Sequence, residues 1–584
     1  MLGLESTLVI VLLLNFVPAS LTIPTQTPLA ISGNMGDLNK PCRELKGRFL
    51  HITDIHPDPY YRVGSSEKKA CHRGKPKPGK AAAGHYGLSY SDCDSPFSLT
   101  NHTFDFLARE WADEIDFVIW TGDSARHDND RKRPRTTAEI YGSNRAMAGK
   151  MEEVFVQRGI PVVPTIGNND VWRRCLHNIM MPGPNSITSE FSSIWRAFVP
   201  FPAYQVFQRG GYFSVEVIPN SVAVISLNTM YFYDSNAAVG GCEHSDPQDP
   251  GNLQFDWLDV QLELFRSRKL QVWLSGHVPP SSRNYFPECY VRYVELSMRY
   301  QDTILGHLYG HSNMDHFFLL DAEQLARPHN MSLASNHKAS TLKSKKKELY
   351  KTLMQEFSDL PKYENLDHDN YGVVNVAPSV VPTYLPSFRI FTYNTTGELY
   401  DPGHLGEDEQ PERRPRSMKD LVDSLCADKT YENTWRCQLD KAWHSNPRSP
   451  SRMNRLWTPL GYAQYFLPDL DTADEKHRPK FKLEYLTFRA SALHPPPGET
   501  SGAEDETAVA AVRKFNWPIP KRHLPRSLQN STMTKTKKFA PYGLGDLTVP
   551  SWTELGTRLG RNKGKLRQRF KEFMSMGGEQ AQGQ

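Results

Sequence analysis

Seven side chains able to coordinate a cation recur at one kind of position in this sequence. Asp54, His56, Asp123, Asn168, His277, His311 and Asn313 each lie just beyond a short apolar run, and several stand beside a glycine. Carboxylate, imidazole and amide oxygen suit divalent zinc, manganese, iron, magnesium or cobalt. The lack of cysteine among them argues against a closed structural zinc site. The stretch FVIWTGDSARHD, from Phe117 to Asp128, is the most telling. A carboxylate at Asp123, just past an apolar strand, can bridge two cations about 3.5–4 Å apart that would otherwise repel. Such a pair can hold both the attacking and the leaving oxygen of a hydrolysis. A single TGD is usually a turn, and a lone strand-end His or Asn is usually a cap, so the weight rests on the ordered set.

Residues so far apart meet only if regular elements bring them together. The apolar runs Arg48–Thr53, Phe117–Trp120, Ile160–Ile166, Val222–Leu227, Gln271–Leu274 and Thr303–Tyr309 read as strands. Phe104–Ile115, Met147–Arg158 and Phe255–Ser267 read as helices, giving the strand, helix, strand rhythm of an α/β domain. In such folds ligands gather beyond the carboxyl ends of the strands, where all seven residues fall. The rhythm weakens near residue 400. We expect a catalytic domain over 47–400, a helical extension over 417–494 held by Cys426 and Cys437, and a largely disordered basic tail over 495–584.

Composition restricts the partners. Among 584 residues, 69 Lys and Arg face 65 Asp and Glu, a net charge of +4, so no global field points to nucleic acid and any polyanion preference must be local. The apolar run Leu8–Val17 within residues 1–23 reads as a signal peptide or a single-pass signal anchor, with 24–46 as a linker. Eight cysteines without a zinc-type CxxC pair read as disulfides, and sequons begin at Asn101, Asn330, Asn394 and Asn530. Together these features point to a lumenal or extracellular glycoprotein.

The ordered blocks D-x-H, G-D, G-N, G-H and G-H-x-N resemble those of the calcineurin-like metallophosphoesterase superfamily over roughly residues 48–320. DIHPDPYY, TGDSARHD, SGHVPP and GHSNMDHF look like its acid sphingomyelinase-like branch, and the IGNNDVW block with the C-terminal extension is similar to the fungal vacuolar endopolyphosphatases. The resemblance implies a β-sandwich flanked by helices and a vacuolar, lumenal enzyme, in some members anchored by its N-terminus. It also implies hydrolysis of long inorganic polyphosphate to shorter chains by a hydroxide held between two divalent cations. By the same resemblance Asp54 and His56 bind the first cation, Asp123 bridges, and Asn168, His277 and His311 bind the second. Asn313 stands where the superfamily usually has a further histidine on the first.

Two positions depart from the pattern. Asn169 replaces the histidine that usually helps protonate the leaving oxygen, and Asn313 offers a neutral oxygen in place of imidazole. A phosphoanhydride expels a phosphate whose terminal pKa is about 6, so it needs little acid help, and Asn169 fits polyphosphate better than an alkyl diester. His127 matches a histidine near the leaving group in the sphingomyelinase-like branch and is the candidate acid. Arg131, Lys132 and Arg133, just after the bridging aspartate, are candidates to hold substrate phosphates. Two other readings stand beside this one: a phosphodiesterase acting on lipid or nucleotide diesters, and a non-catalytic binder of metal or polyphosphate.

Overall fold

The computed structural model describes residues 44–174, 177–178, 180–326, 342–403, 422–439, 442–494, 518–530, 538–562 and 564–576. The expected leader, most of the linker, Asn330, Cys42 and Cys175 lie outside the described residues. Two six-stranded mixed sheets form the centre. The first has the order β14-β13-β12-β1-β2-β3 and the second β10-β11-β9-β8-β7-β6. In the first sheet β1 is Arg48–Ile52, β2 Phe117–Trp120, β3 Val162–Pro164, β12 Ser387–Tyr393, β13 Pro459–Phe466 and β14 Lys482–Leu486. In the second β6 is Phe213–Ile218, β7 Val222–Ser226, β8 Gln271–Ser275, β9 Ile304–Tyr309, β10 His316–Asp321 and β11 Tyr371–Val376. A two-residue pair, β4 Arg173–Arg174 and β5 His177–Asn178, stands apart.

The central strands are parallel, β1 with β2 and β2 with β3 in one sheet, β7 with β8 and β8 with β9 in the other. Parallel strands covered on both faces need largely apolar runs, which is how FVIW and VAVIS read; RFLHI and QVWLS add Arg48, His51, Gln271 and Ser275 to such runs, and all four strands are buried along their whole length. Between the sheets, Phe49 stacks on Phe117 at 4.6 Å and on Phe391 at 4.9 Å, while Trp273 from β8 meets its edge at 5.2 Å. The two sheets thus share one core and aim β1, β2, β3, β8 and β9 at a common rim.

Helix starts differ from the sequence reading by about two turns. The helices span Phe97–Glu110, Thr137–Val154 and Pro250–Ser267. Caps mark the second and third starts: the Thr136 side chain accepts from Glu139 N, and Asp249 accepts from Gly251 and Asn252 before Pro250; the first helix has no side-chain cap and opens after Pro96.

The C-terminal third corrects the sequence reading more deeply. Within the expected helical extension, β13 and β14 add two antiparallel strands to the first sheet beyond β12, so the sandwich does not end near residue 400. The tail expected to be disordered supplies the helices Val549–Arg561 and Lys565–Phe573. Trp552 lies 4.5 Å from the Phe317 ring, and Phe573 stacks on Tyr485 at 4.4 Å. Trp552, Leu555 and Leu559 recur at helical spacing among the charges and are buried. Counting charge hid that stripe.

Disulfides join Cys71 to Cys93, Cys242 to Cys289 and Cys426 to Cys437. The first closes a basic, Gly/Pro-rich loop, HRGKPKPGKAAAG from His72 to Gly84, and the third joins the two cysteines expected to hold the extension. Asn101 and Asn530 are exposed and Asn394 is half-buried. No helix among the described residues is long and apolar enough to cross a membrane.

Candidate metal centre

The rim is built from strained backbone. Asp54 (φ 50°), His56 (φ 44°), Asp123 (φ 60°), His311 (φ 68°) and Asn313 (φ 56°) all occupy the left-handed region. Non-glycine residues are rarely held there, at a cost of about 1–3 kcal/mol each, unless their surroundings over-determine them. Here the surroundings do. Asp54 N donates to Gly122 O at 3.0 Å, while Ile55 N and His56 N both donate to Asp123 O, lacing the loop after β1 to the loop after β2. Two glycines are fixed by close approach: a Cβ on Gly167 would lie 2.2 Å from Asp123 Oδ1, and one on Gly310 would lie 2.5 Å from Asp54 Oδ2.

The side chains then converge. His56 Nε2 lies 3.5 Å from Asp54 Oδ1 and 3.3 Å from Asp123 Oδ2, and His277 Nε2 lies 3.2 Å from the same Asp123 oxygen. Asn168 Oδ1 is 3.0 Å from His277 Nε2 and 2.7 Å from His311 Nδ1. The His311 amide donates to Asp54 Oδ2 at 2.9 Å. Six of the seven expected ligands therefore meet, with Asp123 in the middle. For Asn313 the relevant observation is a buried Oδ1 without a hydrogen-bond partner.

With the rings neutral, these contacts leave acceptors facing acceptors. His56 Nδ1 is 2.8 Å from Ala125 O and His277 Nδ1 is 2.7 Å from Thr121 O, so each ring donates there, and Nε2 faces the carboxylates, where it is held by either a proton or a cation. Asp54 Oδ1 and His56 Nε2 are also buried without partners. Such a cluster is costly to bury unless a cation sits within it, and a histidine ligand anchored through its other nitrogen by a carbonyl is the usual support for one. Asp54, His56 and Asp123 each present an atom within 4.8 Å of the others, as a shared ion requires. The residues present fit divalent cations.

The field agrees. Burial alone would lower the basicity of His56 and His277, yet the nearby carboxylates, Asp123 foremost, overcome it and push both up to about 9. Burial opposes ionisation of Asp123 too, but His277 and His56 hold its carboxyl well below the usual range. His311 behaves differently: burial, then His277, push it down to about 4, so it is neutral and free to coordinate. A site that raises two imidazoles this far is one that attracts positive charge.

Asn169 turns both its donors on Asp123, the backbone N–H to Oδ1 at 2.7 Å and the side-chain amide to Oδ2 at 2.8 Å. Asn169, expected at the position of the superfamily's leaving-group histidine, thus orients the central carboxylate. Arg135 secures the same loop, with its guanidinium on Asn169 O and Arg126 O. His127 stacks on His56 with ring centres 4.0 Å apart, and its Nδ1 lies 2.6 Å from Asp94 Oδ1. Arg131, Lys132 and Arg133 are exposed beyond it; Arg133 lies 4.1 Å over the Tyr60 ring, and none of the three has a hydrogen bond or ion pair to the converging residues.

Sequence reasoning missed two carboxylates. Asp170 accepts from Asp123 N, Ser124 N and Gly167 N, and so ties the loop after β2 to the loop after β3. Burial and the Asp123 charge push it up to about 6. It ends the GNND block and could have been found there. Asp94, buried and bonded to both His127 N and Nδ1, carries no signal beyond its place after Cys93.

Residues 47–312 match the family model described as calcineurin-like phosphoesterase. An endopolyphosphatase of Cryptococcus neoformans is 39% identical to the chain, covering 91% of this chain and 91% of its own. One from Schizosaccharomyces pombe is 33% identical, covering 89% of this chain and 84% of its own. A solved dimetal phosphatase from Danio rerio covers 60% of this chain and 93% of its own at 10% identity, with a TM-score of 0.32, too low to carry an argument.

Proposed function

The chain belongs to the endopolyphosphatase family of calcineurin-like phosphoesterases, and on that footing we propose that it hydrolyses phosphoanhydride bonds in long inorganic polyphosphate, yielding shorter chains. The single observation that carries the site assignment is the convergence of Asp54, His56, His277 and Asn168 on Asp123, with buried acceptors turned inward. Two divalent cations fit that set: Asp54, His56 and Asn313 would hold one, Asn168, His277 and His311 the other, and Asp123 both. When bound, such ions acidify a water and neutralise phosphoryl oxygens.

The protein's own groups do the rest. Asn169 and Asp170 hold Asp123 in its left-handed turn, and the Ala125 and Thr121 carbonyls fix the rings of His56 and His277. Asp94 orients His127 through Nδ1 and leaves Nε2 as the nitrogen able to hand a proton to a leaving oxygen. Since the departing phosphate has a terminal pKa of about 6, that help matters less here than for an alkoxide.

The disulfide Cys71–Cys93 beside the site supports an oxidising compartment, and we extend the proposal to a lumenal, vacuolar location, with the leader kept as an N-terminal anchor, or to secretion if it is cleaved. The test offers the purified chain long polyphosphate, a chromogenic phosphodiester and sphingomyelin, with and without chelator. Chelator-sensitive shortening of polyphosphate is expected to dominate. Preferential turnover of a diester would replace this reading, and no turnover of any would leave a binder.

A further inference from the structure

A second charged site lies away from the metal rim, and it has the opposite sign. A cavity of about 1300 Å³ opens between the helix Phe97–Glu110, strands β13 and β14, the turn at 521–525 and the helix Lys565–Phe573. Eight lysine or arginine side chains line it against four carboxyls. The lining therefore carries a local excess of four positive charges.

The pairing inside the cavity sharpens the point. Arg522 pairs with Glu114 at 2.8 Å, Arg569 with Glu572 at 2.9 Å and Lys482 with Asp469 at 2.7 Å. Arg109, Arg478, Lys480, Lys538 and Lys565 have no ion pair among the described residues. Burial pushes the Glu484 carboxyl in the wall well upward. Phe106, Phe481 and Phe539 form apolar wall between the cations, and a low-dielectric wall focuses the field on whatever enters.

We propose that this cleft is a second binding site for condensed phosphate, which anchors a stretch of the polyphosphate chain distant from the bond being cut. The inference rests on the polyphosphatase reading for its ligand. Its position suits the role, because Met576 at the cleft wall packs in one cluster with Met314, the neighbour of Asn313 on the rim. That buried cluster fixes the cleft wall to the segment that carries Asn313, so a chain long enough to run over the surface between them could be held in the cleft while an internal bond lies at the rim. Unpaired lysines and arginines along a groove are what an extended chain of phosphates recognises, by neutralisation and counterion release.

The test substitutes Lys480→Gln, Lys538→Gln and Lys565→Gln together and compares long polyphosphate with tripolyphosphate at low salt. For the long chain KM should rise about tenfold with kcat unchanged, the loss of three exposed charge contacts, while tripolyphosphate is cut as before. An unchanged KM for the long chain overturns the cleft and leaves the metal chemistry standing.

A second measurement separates the two claims. In Asp123→Asn protein treated with chelator, long polyphosphate should still bind, and the three glutamine substitutions should weaken that binding about tenfold. If the native chain cuts no polyphosphate, the functional reading fails and this binding alone judges the cleft. ATP binding the cleft more tightly than polyphosphate would overturn the assignment in favour of a nucleotide triphosphate.

Discussion

The metal rim and the cationic cleft would meet the same polyanion in opposite ways. In the rim, Asp54, His56, Asp123 and His277 are fully buried, the loops after β1 and β2 are fixed to each other by backbone bonds, and five of the seven ligands sit in left-handed turns that only dense packing sustains. In the cleft, lysines and arginines stand on the surface, several without partners, and their reach is set by side-chain length alone. A preorganised centre acts on one phosphorus and tolerates little change. A flexible charged groove acts on many phosphates and tolerates much, so the rim should govern kcat and the cleft KM.

The harshest way to test that division is at the centre of the rim. Asp123→Asn removes the shared charge, and turnover should fall at least about 10³-fold on every substrate, as loss of several kcal/mol of metal-dependent stabilisation implies. Single-turnover assays on long polyphosphate and tripolyphosphate check it, and a loss confined to long chains would erase the distinction.

A sharper cut lies within the rim. His127→Ala should cost about 10²-fold on a diester that expels an alkoxide but only about tenfold on polyphosphate, since a good leaving group needs less acid. Equal losses on both would reduce His127 to a structural neighbour of His56. Salt addresses the cleft: raising sodium chloride from about 50 to 200 mM should raise KM several-fold for long chains and leave kcat nearly unchanged. A kcat that follows salt instead would move the sensitivity to the rim.

The smallest effect concerns what backs the rim. His307 is buried at 2.7 Å from the Tyr293 hydroxyl, and burial pushes it down to about 3. Unfolded, it regains a value near 6.5 and binds a proton first, so its contribution is constant above that value and stability falls as pH drops towards 3. His307→Gln should flatten the pH dependence of melting between about 3 and 6.5 by at most about 1.4 kcal/mol per pH unit. Parallel curves for the two proteins would contradict it.

How much of this was legible in the sequence follows the same division. The rim could be read because its parts obey strong local rules: largely apolar strands, then Asp, Asn or His beside Gly, in a fixed order. Gly167 and Gly310 marked close approaches as well as turns. The cleft could not be read, because its charges come from five separate segments and only the fold gathers them. The same blindness made 495–584 look disordered, although Trp552, Leu555 and Leu559 keep a buried stripe at helical spacing. Asp94 was invisible for a related reason: its meaning lies wholly in a contact with His127, 33 residues away.

The most direct measurement titrates metal-free protein with manganese while metal content and polyphosphate cutting are followed on the same samples. Two ions should bind per chain, fragments of intermediate length should appear as they do, and Asp123→Asn protein should lose both together. Full cutting by protein that holds no ion, or tight uptake of two ions without any cutting, would contradict a catalytic pair of cations gathered around Asp123.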